Sequence, residues 1–221
     1  MPAAIRDRRD FELIETTRWS AGEGLWLLDY HLDRLRRSAE FFRFRYDRAE
    51  IRAALDAHCT GLDRSTRSRV RLTLAADGTP SITSSPITAA PSTSPLPTAT
   101  LSDQRTNSAD IFLRHKTTNR KLYDNEFKRV QDALGCIEVL FMNERGELTE
   151  GSRTNLFVDL DGTLVTPPLG CGLLDGTLRR SLFAASGSAL EEAIIRPGDL
   201  ARARGILIGN SVMGLVEIRL I

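Results

Sequence analysis

The feature that most constrains the fold is a series of short apolar segments, separated by turn residues, that fills the second half of the chain. Segments of this length and spacing predict β-strands. One pair flanks Asp161-Gly162, a dipeptide typical of two-residue hairpin turns. Strands are therefore expected to dominate this half, in the segments CIEVLFM, GELTE, LFVDL, TLVTPP, ILIGNS and GLVEIRLI.

Three helices are predicted between these strands. Apolar residues recur at helical spacing through residues 118–134, and Gly135 is a typical residue to follow a helix. The segment GLLDGTLRRSLFAASG predicts a loop and then a helix with Thr177 and Leu178 in its first turn. Residues 197–203 predict a short helix. The inward residues of the first of these helices are expected to be Leu122, Phe127, Val130 and Leu134.

The first half mixes strands and helices. Residues 11–19 (FELIETTRW) predict a strand, and residues 69–75 (RVRLTLA) predict a second that enters a hairpin. Asp29 and Asp47 are each predicted to be a helix N-cap, because a side-chain oxygen there accepts hydrogen bonds from free backbone N–H groups. Gly61 should end the second helix. The inward faces are expected to be Leu32, Leu35, Ala39 and Phe42 in the first helix and Ile51, Leu55 and His58 in the second.

Together these elements predict an α+β protein of two domains. Residues 84–97 are rich in Pro, Ser, Thr and Ala, which suits an edge strand or an extended crossing segment and marks a domain boundary. We therefore expect a small α/β domain at residues 1–104 and a larger, β-rich domain at residues 105–221.

Composition excludes several classes of protein. A formal net charge of +1 over 221 residues provides no general field to attract nucleic acid or an acidic membrane. The Arg-rich stretches 33–48 and 64–71 resemble some nucleic-acid surfaces, but helical i,i+4 spacing explains much of that pattern as a solvated face. Three widely spaced cysteines suggest neither a disulfide framework nor a zinc cluster, so no metal is expected. Neither a signal peptide nor a membrane span is apparent, and a cytoplasmic location is expected.

Lysine is nearly absent from this chain, and its placement indicates covalent chemistry. The three lysines, Lys116, Lys121 and Lys128, share one short segment, while arginine supplies the other 27 of the 30 basic residues. An arginine side chain stays protonated and cannot act as an amine nucleophile, whereas lysine can. Lys121 and Lys128 fit a solvated helix face. Lys116 precedes the helical pattern and is followed by small polar residues, so it is the candidate nucleophile.

Three polar turns in the second half provide groups that could act with Lys116. Glu150 ends a strand before the loop 151–155, and its carboxylate could pair with a protonated ring nitrogen. Residues 175–178 offer a hydroxyl and free backbone amides at a helix N-terminus, a typical anion site. Residues 209–211 offer another hydroxyl and more amides. Each turn alone is ordinary, but an amine, an acid and two hydroxyl turns together predict pyridoxal phosphate as the cofactor.

The same residues carry a resemblance to a known family. The string NERGELTEGSRTNLFVDLDGTLVTPPLGCGLLDGTLRRSL, preceded by FLRHKTTNR and followed by ILIGNS, resembles the class IV aminotransferases, pyridoxal phosphate enzymes of fold-type IV. FELIETTRW and HLDRLRRSA are similar to the family's first-domain strand and to the helix that bears its phosphate-binding arginine, so the resemblance covers nearly the whole chain. It implies a cofactor bound between the two domains and a homodimer.

Residue roles follow from the resemblance position by position. It implies that Lys116 holds the cofactor as a Schiff base and that Glu150 pairs with the pyridine nitrogen. His115 is expected to pack or to support a neighbouring group rather than to act as a catalyst, because adjacent side chains of an extended segment point to opposite sides. The remaining residues implied around the cofactor and its phosphate are Arg34, Thr154, Asn155, Thr177, Leu178, Asn210 and Ser211.

Within the family, the string RHKTTNR and the short first domain are most similar to the aminodeoxychorismate lyases. This similarity implies conversion of 4-amino-4-deoxychorismate to para-aminobenzoate and pyruvate, in partnership with an aminodeoxychorismate synthase. Two alternatives stay open, namely an aminotransferase for branched-chain or D-amino acids and a cofactor-binding relic without turnover. The family's opening hairpin is absent before residue 11, and Lys121 stands where branched-chain transaminases have a tyrosine, which disfavours that class.

Overall fold

A computed structural model describes residues 11–88, 94–186 and 189–221, and these fall into two compact units. The first unit contains residues 11–88 together with the short segment 115–119, and the second contains the rest. Within the described ranges, none of the helices has the length and hydropathy of a membrane span. The mixture of helices and sheets confirms the predicted α+β class.

The first unit is a four-stranded antiparallel sheet with two helices. Its strands are β1 (Leu13–Ser20), β2 (Gly24–Leu25), β3 (Ser68–Leu74) and β4 (Pro80–Pro86), in the order β2-β1-β3-β4. The helices are α1 (Leu28–Phe42) and α2 (Arg48–Thr60). β4 forms the edge of the sheet, as the Pro- and Ser-rich sequence predicts, while residues 89–93 of that predicted segment lie outside the described residues.

The start of α1 differs from its prediction. Asp29 is not the N-cap, because the helix begins at Leu28 and follows Leu27, which adopts a left-handed conformation with φ 58°. Asp29 lies in the first turn instead, where a negative charge interacts favourably with the helix dipole. The predicted inward face is confirmed, since Leu32, Leu35, Ala39 and Phe42 are all buried.

The cap of α2 is confirmed. Asp47 accepts hydrogen bonds from the backbone N–H groups of Ala49 at 2.8 Å and Glu50 at 3.0 Å, and Gly61 follows the last turn. Ile51 and Leu55 are buried as predicted. His58 faces the edge strand β4, where its ring nitrogen Nε2 lies 3.0 Å from the Ser84 hydroxyl, but it is only partly buried.

The segment 115–119 runs beside β1. Thr117 forms an antiparallel bridge with Leu13, and the Ile14 N–H donates to the Lys116 carbonyl at 2.8 Å. The Thr118 N–H donates to the Glu12 carbonyl at 2.9 Å. This pairing holds the segment in an extended conformation, so the following helix cannot begin at residue 118 as the sequence predicts.

The second unit is built on one eight-stranded sheet. Its strands are β5 (Thr98–Thr106), β6 (Glu138–Asn143), β7 (Leu148–Gly151), β8 (Asn155–Leu160), β9 (Thr163–Thr166), β10 (Leu190–Glu192), β11 (Gly205–Asn210) and β12 (Gly214–Leu220). The strand order is β10-β9-β8-β11-β12-β5-β6-β7, and an additional β7–β8 pairing closes six of these strands into a ring. The predicted dominance of strands in this part of the chain is confirmed.

Three helices accompany this sheet, namely α3 (Lys121–Leu134), α4 (Thr177–Ser186) and α5 (Pro197–Leu200). Phe127 and Val130 of α3 are buried against Phe141 of β6, as predicted. Leu122 and Leu134 are exposed instead, with 37% and 53% of their surface accessible. Leu122 lies about 140° around the helix from Phe127, which turns it away from the sheet. Leu134 is the last residue of the helix, just before Gly135 in a left-handed conformation.

The hairpin between β8 and β9 forms at the predicted dipeptide. Asp161 has φ 55° and Gly162 has φ 91°, and a type I′ turn requires positive φ at both central residues.

Strand pairing decides to which unit two segments belong. β5 pairs with β6 and β12 and therefore belongs to the second unit, while residues 115–119 pair with β1 and belong to the first. A division into domains at residue 104/105 stays a prediction.

Candidate active site

A buried charged group in the first unit contains the predicted phosphate ligand Arg34. Glu15 of β1 faces His31 and Arg34 of α1, and all three residues are buried. The Arg34 guanidinium donates to the two carboxylate oxygens of Glu15 at 3.0 and 2.6 Å, a bidentate pair. The His31 Nδ1 lies 2.5 Å from Glu15 Oε2. Glu15 therefore fixes where the Arg34 side chain lies in this unit.

Ionisation in this group follows from burial and charge. Burial alone would raise the pKa of Glu15, but the positive charge of Arg34 and the hydrogen bonds from His31 and Arg34 lower it to about 2. Burial lowers the pKa of His31 below its ordinary value, and the positive charges of Arg34 and Lys116 lower it further against the opposing effect of Glu15. His31 is thus a neutral donor to Glu15.

Lys116 belongs to the same unit as Arg34. Its backbone carbonyl accepts from Ile14, and its positive charge is close enough to lower the pKa of His31. The neighbouring His115 ring stacks on Phe41, with centroids 4.5 Å apart, and meets Phe42 edge-on at 4.8 Å. Its Nδ1 lies 3.0 Å from the Ser38 hydroxyl. His115 is thus a packing residue beside the candidate nucleophile.

In the second unit, the predicted acid Glu150 is a buried carboxylate with a hydrogen-bond donor at each oxygen. The Tyr123 hydroxyl donates to Oε1 at 3.1 Å, and the Asn155 amide donates to Oε2 at 3.4 Å. Asn155 also donates to the Leu174 carbonyl at 3.0 Å. The amide therefore links Glu150 to the loop that precedes α4.

Strand register and close contacts join the three polar turns into one surface. Glu150 of β7 pairs with Asn155 of β8, and Asn155 pairs with Gly209 of β11, so these residues form a row across neighbouring strands. Asn155 also touches Gly176, where an added Cβ would meet its Oδ1 at 1.8 Å. A Cβ on Gly209 would meet the Leu178 side chain at 2.8 Å. The start of α4 therefore lies over the end of β11.

The third polar turn is fixed to the first. Asn210 donates from its amide to the Arg153 carbonyl at 3.1 Å, and its Oδ1 accepts from the backbone N–H groups of Val212 and Met213. Thr177 and Ser211, the hydroxyl residues of the two proposed phosphate turns, are both buried. The structure thus brings Glu150, Thr154, Asn155, Thr177, Leu178, Asn210 and Ser211 together in one unit.

A second buried carboxylate, Glu138 of β6, organises the loop between β7 and β8. It accepts from the Ser152 N–H at 2.9 Å, the Ser152 hydroxyl at 2.5 Å, the Arg153 N–H at 3.1 Å and the Thr154 hydroxyl at 2.9 Å. A Cβ on Gly151 would meet the Glu138 carboxyl carbon at 2.7 Å. Glu138 therefore sets the shape of the loop that carries Arg153, Thr154 and Asn155.

Sequence reasoning missed three residues of these groups, namely Glu15, Tyr123 and Glu138. Each lies inside a predicted strand or helix and acts through a partner 14 or more positions away along the chain. The one local signal was a carboxylate within an apolar strand, as in IETT and CIEVLF, since a buried charge requires a partner.

Comparisons with known proteins agree on the family. The model of the amino-transferase class IV family matches residues 12–221. Aminodeoxychorismate lyase of Saccharomyces cerevisiae is 35% identical over 126 residues, which are 49% of this chain and 33% of the yeast protein. A provisionally assigned aminodeoxychorismate lyase of Schizosaccharomyces pombe is 29% identical over 90% of this chain and 85% of its own length. The match therefore spans only a third of the yeast relative.

Among solved structures, a provisionally assigned amino-acid aminotransferase from Mesorhizobium loti is 39% identical, with a TM-score of 0.87. The similarity covers 96% of this chain and 100% of that one. It confirms the predicted fold-type IV architecture.

We expect Glu15→Gln to reduce the free energy of unfolding by about 3 kcal/mol at pH 7, because it leaves the buried Arg34 guanidinium without its counter-charge. The pKa of Glu15 is about 2 in the folded protein, below its ordinary 4.5. This stabilisation is therefore complete above pH 4.5 and is lost as the pH falls toward 2. Urea unfolding from pH 7 to 3 should show the two proteins converging. The exposed Glu23→Gln should change stability by less than about 0.5 kcal/mol, and a difference independent of pH would contradict the assignment.

We expect Glu138→Gln to lower the free energy of unfolding by about 2 kcal/mol, because an amide cannot accept at both ends from the donors of the 151–155 loop. The exposed Glu191→Gln of β10 is the matched control and should lie within about 0.5 kcal/mol of wild type. Chemical denaturation measures both variants. Equal stability of Glu138→Gln and wild type would show that the carboxylate does not organise this loop.

Proposed function

Because this chain belongs to the amino-transferase class IV family of pyridoxal phosphate-dependent enzymes, we propose that it is a lyase that converts 4-amino-4-deoxychorismate to para-aminobenzoate and pyruvate. The observation that carries the proposal is the row Glu150–Asn155–Gly209, which joins a buried carboxylate to the 209–211 turn, together with the contacts of Asn155 and Gly209 with the start of α4. The names of the two yeast relatives support the lyase within the family.

The donor groups fit pyridoxal phosphate. Glu150 would hold the proton on the ring nitrogen. Tyr123 and Asn155 donate to its two oxygens. When ionised, the carboxylate has no hydrogen to donate and can only accept. Thr177 begins α4, a ten-residue helix, so its hydroxyl and the backbone amides of the first turn suit a phosphate. Ser211 adds a second hydroxyl. When bound, the cofactor supplies a ring that accepts electrons from a substrate amine attached to it.

Two cationic residues of the first unit, Arg34 and Lys116, are also proposed to bind the cofactor. Arg34 would bind the phosphate, and Glu15 would hold its guanidinium in a defined place. The Lys116 amine would bind the cofactor aldehyde and later take the proton from the substrate carbon that bears the nitrogen. Lysine suits both tasks because its amine can lose a proton, whereas the arginines of this chain cannot. Loss of pyruvate then leaves the aromatic product.

The lyase and transaminase reactions share these groups and differ in where the proton is returned. A lyase gives up pyruvate and forms an aromatic ring, whereas a transaminase moves an amino group to a keto acid. The Mesorhizobium loti relative carries an aminotransferase name, so amino transfer is the second outcome to test. We also propose a homodimer and a substrate supplied by an aminodeoxychorismate synthase. Sedimentation at micromolar concentration tests the dimer, and a monomer that binds the cofactor tightly would contradict it.

We expect borohydride reduction of protein incubated with pyridoxal phosphate to place the pyridoxyl label on Lys116, because the lysine amine is the group that attacks the aldehyde. Peptide mapping by mass spectrometry identifies the labelled residue. Lys116→Ala should lose the label, and Lys121→Ala, an exposed residue of α3, should keep it. A label on Lys121 or Lys128, or none in saturated protein, would overturn the assignment of the nucleophile.

We expect Glu150→Gln to bind pyridoxal phosphate yet to lose most pyruvate release, because a neutral amide cannot hold the charge of the ring nitrogen. Lys116→Ala should reduce the rate of pyruvate release by at least about 100-fold, because the proton-transfer group is removed. A coupled pyruvate assay with aminodeoxychorismate measures both, beside a panel of amino and keto acids. Wild type that transfers amino groups without releasing pyruvate would identify a transaminase, and binding without either reaction would identify a relic. Full activity of Glu150→Gln would refute the ring-nitrogen role.

A further inference from the structure

Tyr123 carries a hydroxyl that its packing does not require. The residue lies in the first turn of α3, and its ring meets the buried Phe141 ring edge-on, with centroids 4.8 Å apart at 84°. A phenylalanine would make the same ring contact. The phenol oxygen instead lies 3.1 Å from Glu150 Oε1 and donates its proton to the carboxylate.

The hydroxyl is suited to act as a permanent donor. Burial raises the pKa of Tyr123 well above 10, and the negative charge and hydrogen bond of Glu150 raise it further. The Arg120 guanidinium, 5.9 Å from the ring centre, opposes this shift, and Asp110 adds to it. The phenol therefore stays protonated at every pH at which the protein would work, so Glu150 always faces a donor there.

The two donors at Glu150 come from different elements of the second unit. Tyr123 approaches Oε1 from α3, and Asn155 approaches Oε2 from β8. A carboxylate with a directional hydrogen bond at each oxygen has its plane fixed. A single hydrogen bond would still allow the group to rotate about that bond. Orientation matters for a group that must hold a proton on one particular ring atom.

We infer that Tyr123 is a positioning residue that orients the Glu150 carboxylate toward the ring nitrogen of the cofactor. This role rests on the proposed function, and it acts through Glu150 rather than on the reacting atoms. It predicts that the hydroxyl affects cofactor binding more strongly when the group at position 150 is charged. A residue that merely stabilises the fold would have the same effect whichever group stands there.

The first experiment tests the pair without cofactor. Tyrosine ionisation is followed by ultraviolet absorbance in wild type, Tyr123→Phe and Glu150→Gln, with Tyr46→Phe as the matched control. Tyr46 is a second tyrosine whose hydroxyl donates a hydrogen bond, to the Leu32 carbonyl at 3.1 Å in the first unit. We expect the most alkaline transition to disappear in Tyr123→Phe and to move to lower pH in Glu150→Gln. A transition that Glu150→Gln leaves unchanged would show that the two residues do not interact.

The second experiment measures the affinity of the purified protein for pyridoxal phosphate in a double-mutant cycle. Tyr123→Phe should weaken binding about tenfold in the wild-type background, because it removes a hydrogen bond to a charged group. In the Glu150→Gln background, the same change should weaken binding by less than about threefold, since a neutral amide accepts a weaker bond. Tyr46→Phe should leave the affinity within about twofold of wild type.

The outcomes separate the inference from the proposed function. Equal losses of affinity in both backgrounds, or no loss in either, would overturn the positioning role while the cofactor assignment stands. Wild type that fails to bind pyridoxal phosphate would overturn the proposed function and, with it, the role of Tyr123. Weakened binding that depends on Glu150, together with the shifted tyrosine transition, would support the inference.

Discussion

The candidate site in the second unit depends on one buried carboxylate that would not itself touch a cofactor. Glu138 accepts hydrogen bonds from three consecutive residues of the 151–155 loop, and no residue with a side chain fits at Gly151 beside it. This loop sets where Asn155 lies, and Asn155 in turn ties Glu150 to the residues before α4. A charge is costly to bury, and the number of donors around Glu138 offsets that cost.

Local patterns predicted most of the fold because the forces behind them are local. Asp47 caps α2 and Asp161-Gly162 forms the β8–β9 turn, since both motifs act within a few residues of chain. One failure has a local cause and the other a distant one. Asp29 is not a cap because the chain enters α1 through Leu27, and α3 starts late because residues 115–119 pair with β1.

In the candidate site, too, local sequence predicts some features and distant contacts decide others. The three polar turns could be found because glycine and hydroxyl residues mark them in the sequence. Strand register then places two of them side by side, and contacts of Gly176 and Leu178 add the third. Tyr123 and Glu150 are 27 positions apart, and nothing in the sequence near either residue indicates the other. Glu15 and Arg34 meet for a similar reason, because a strand and a helix pack together in the first unit. Long-range partners of buried charges are thus the part that sequence patterns leave out.

The pairing of residues 115–119 with β1 has a consequence for how Lys116 can move. Hydrogen bonds from Ile14 to the Lys116 carbonyl and from Thr118 to the Glu12 carbonyl fasten the main chain at this residue and again two residues later. The α-carbon is therefore a fixed anchor, and any travel of the amine must come from rotation about the bonds of its flexible four-carbon stem. An amine tethered in this way can leave a bonded atom and return to it without any rearrangement of the sheet.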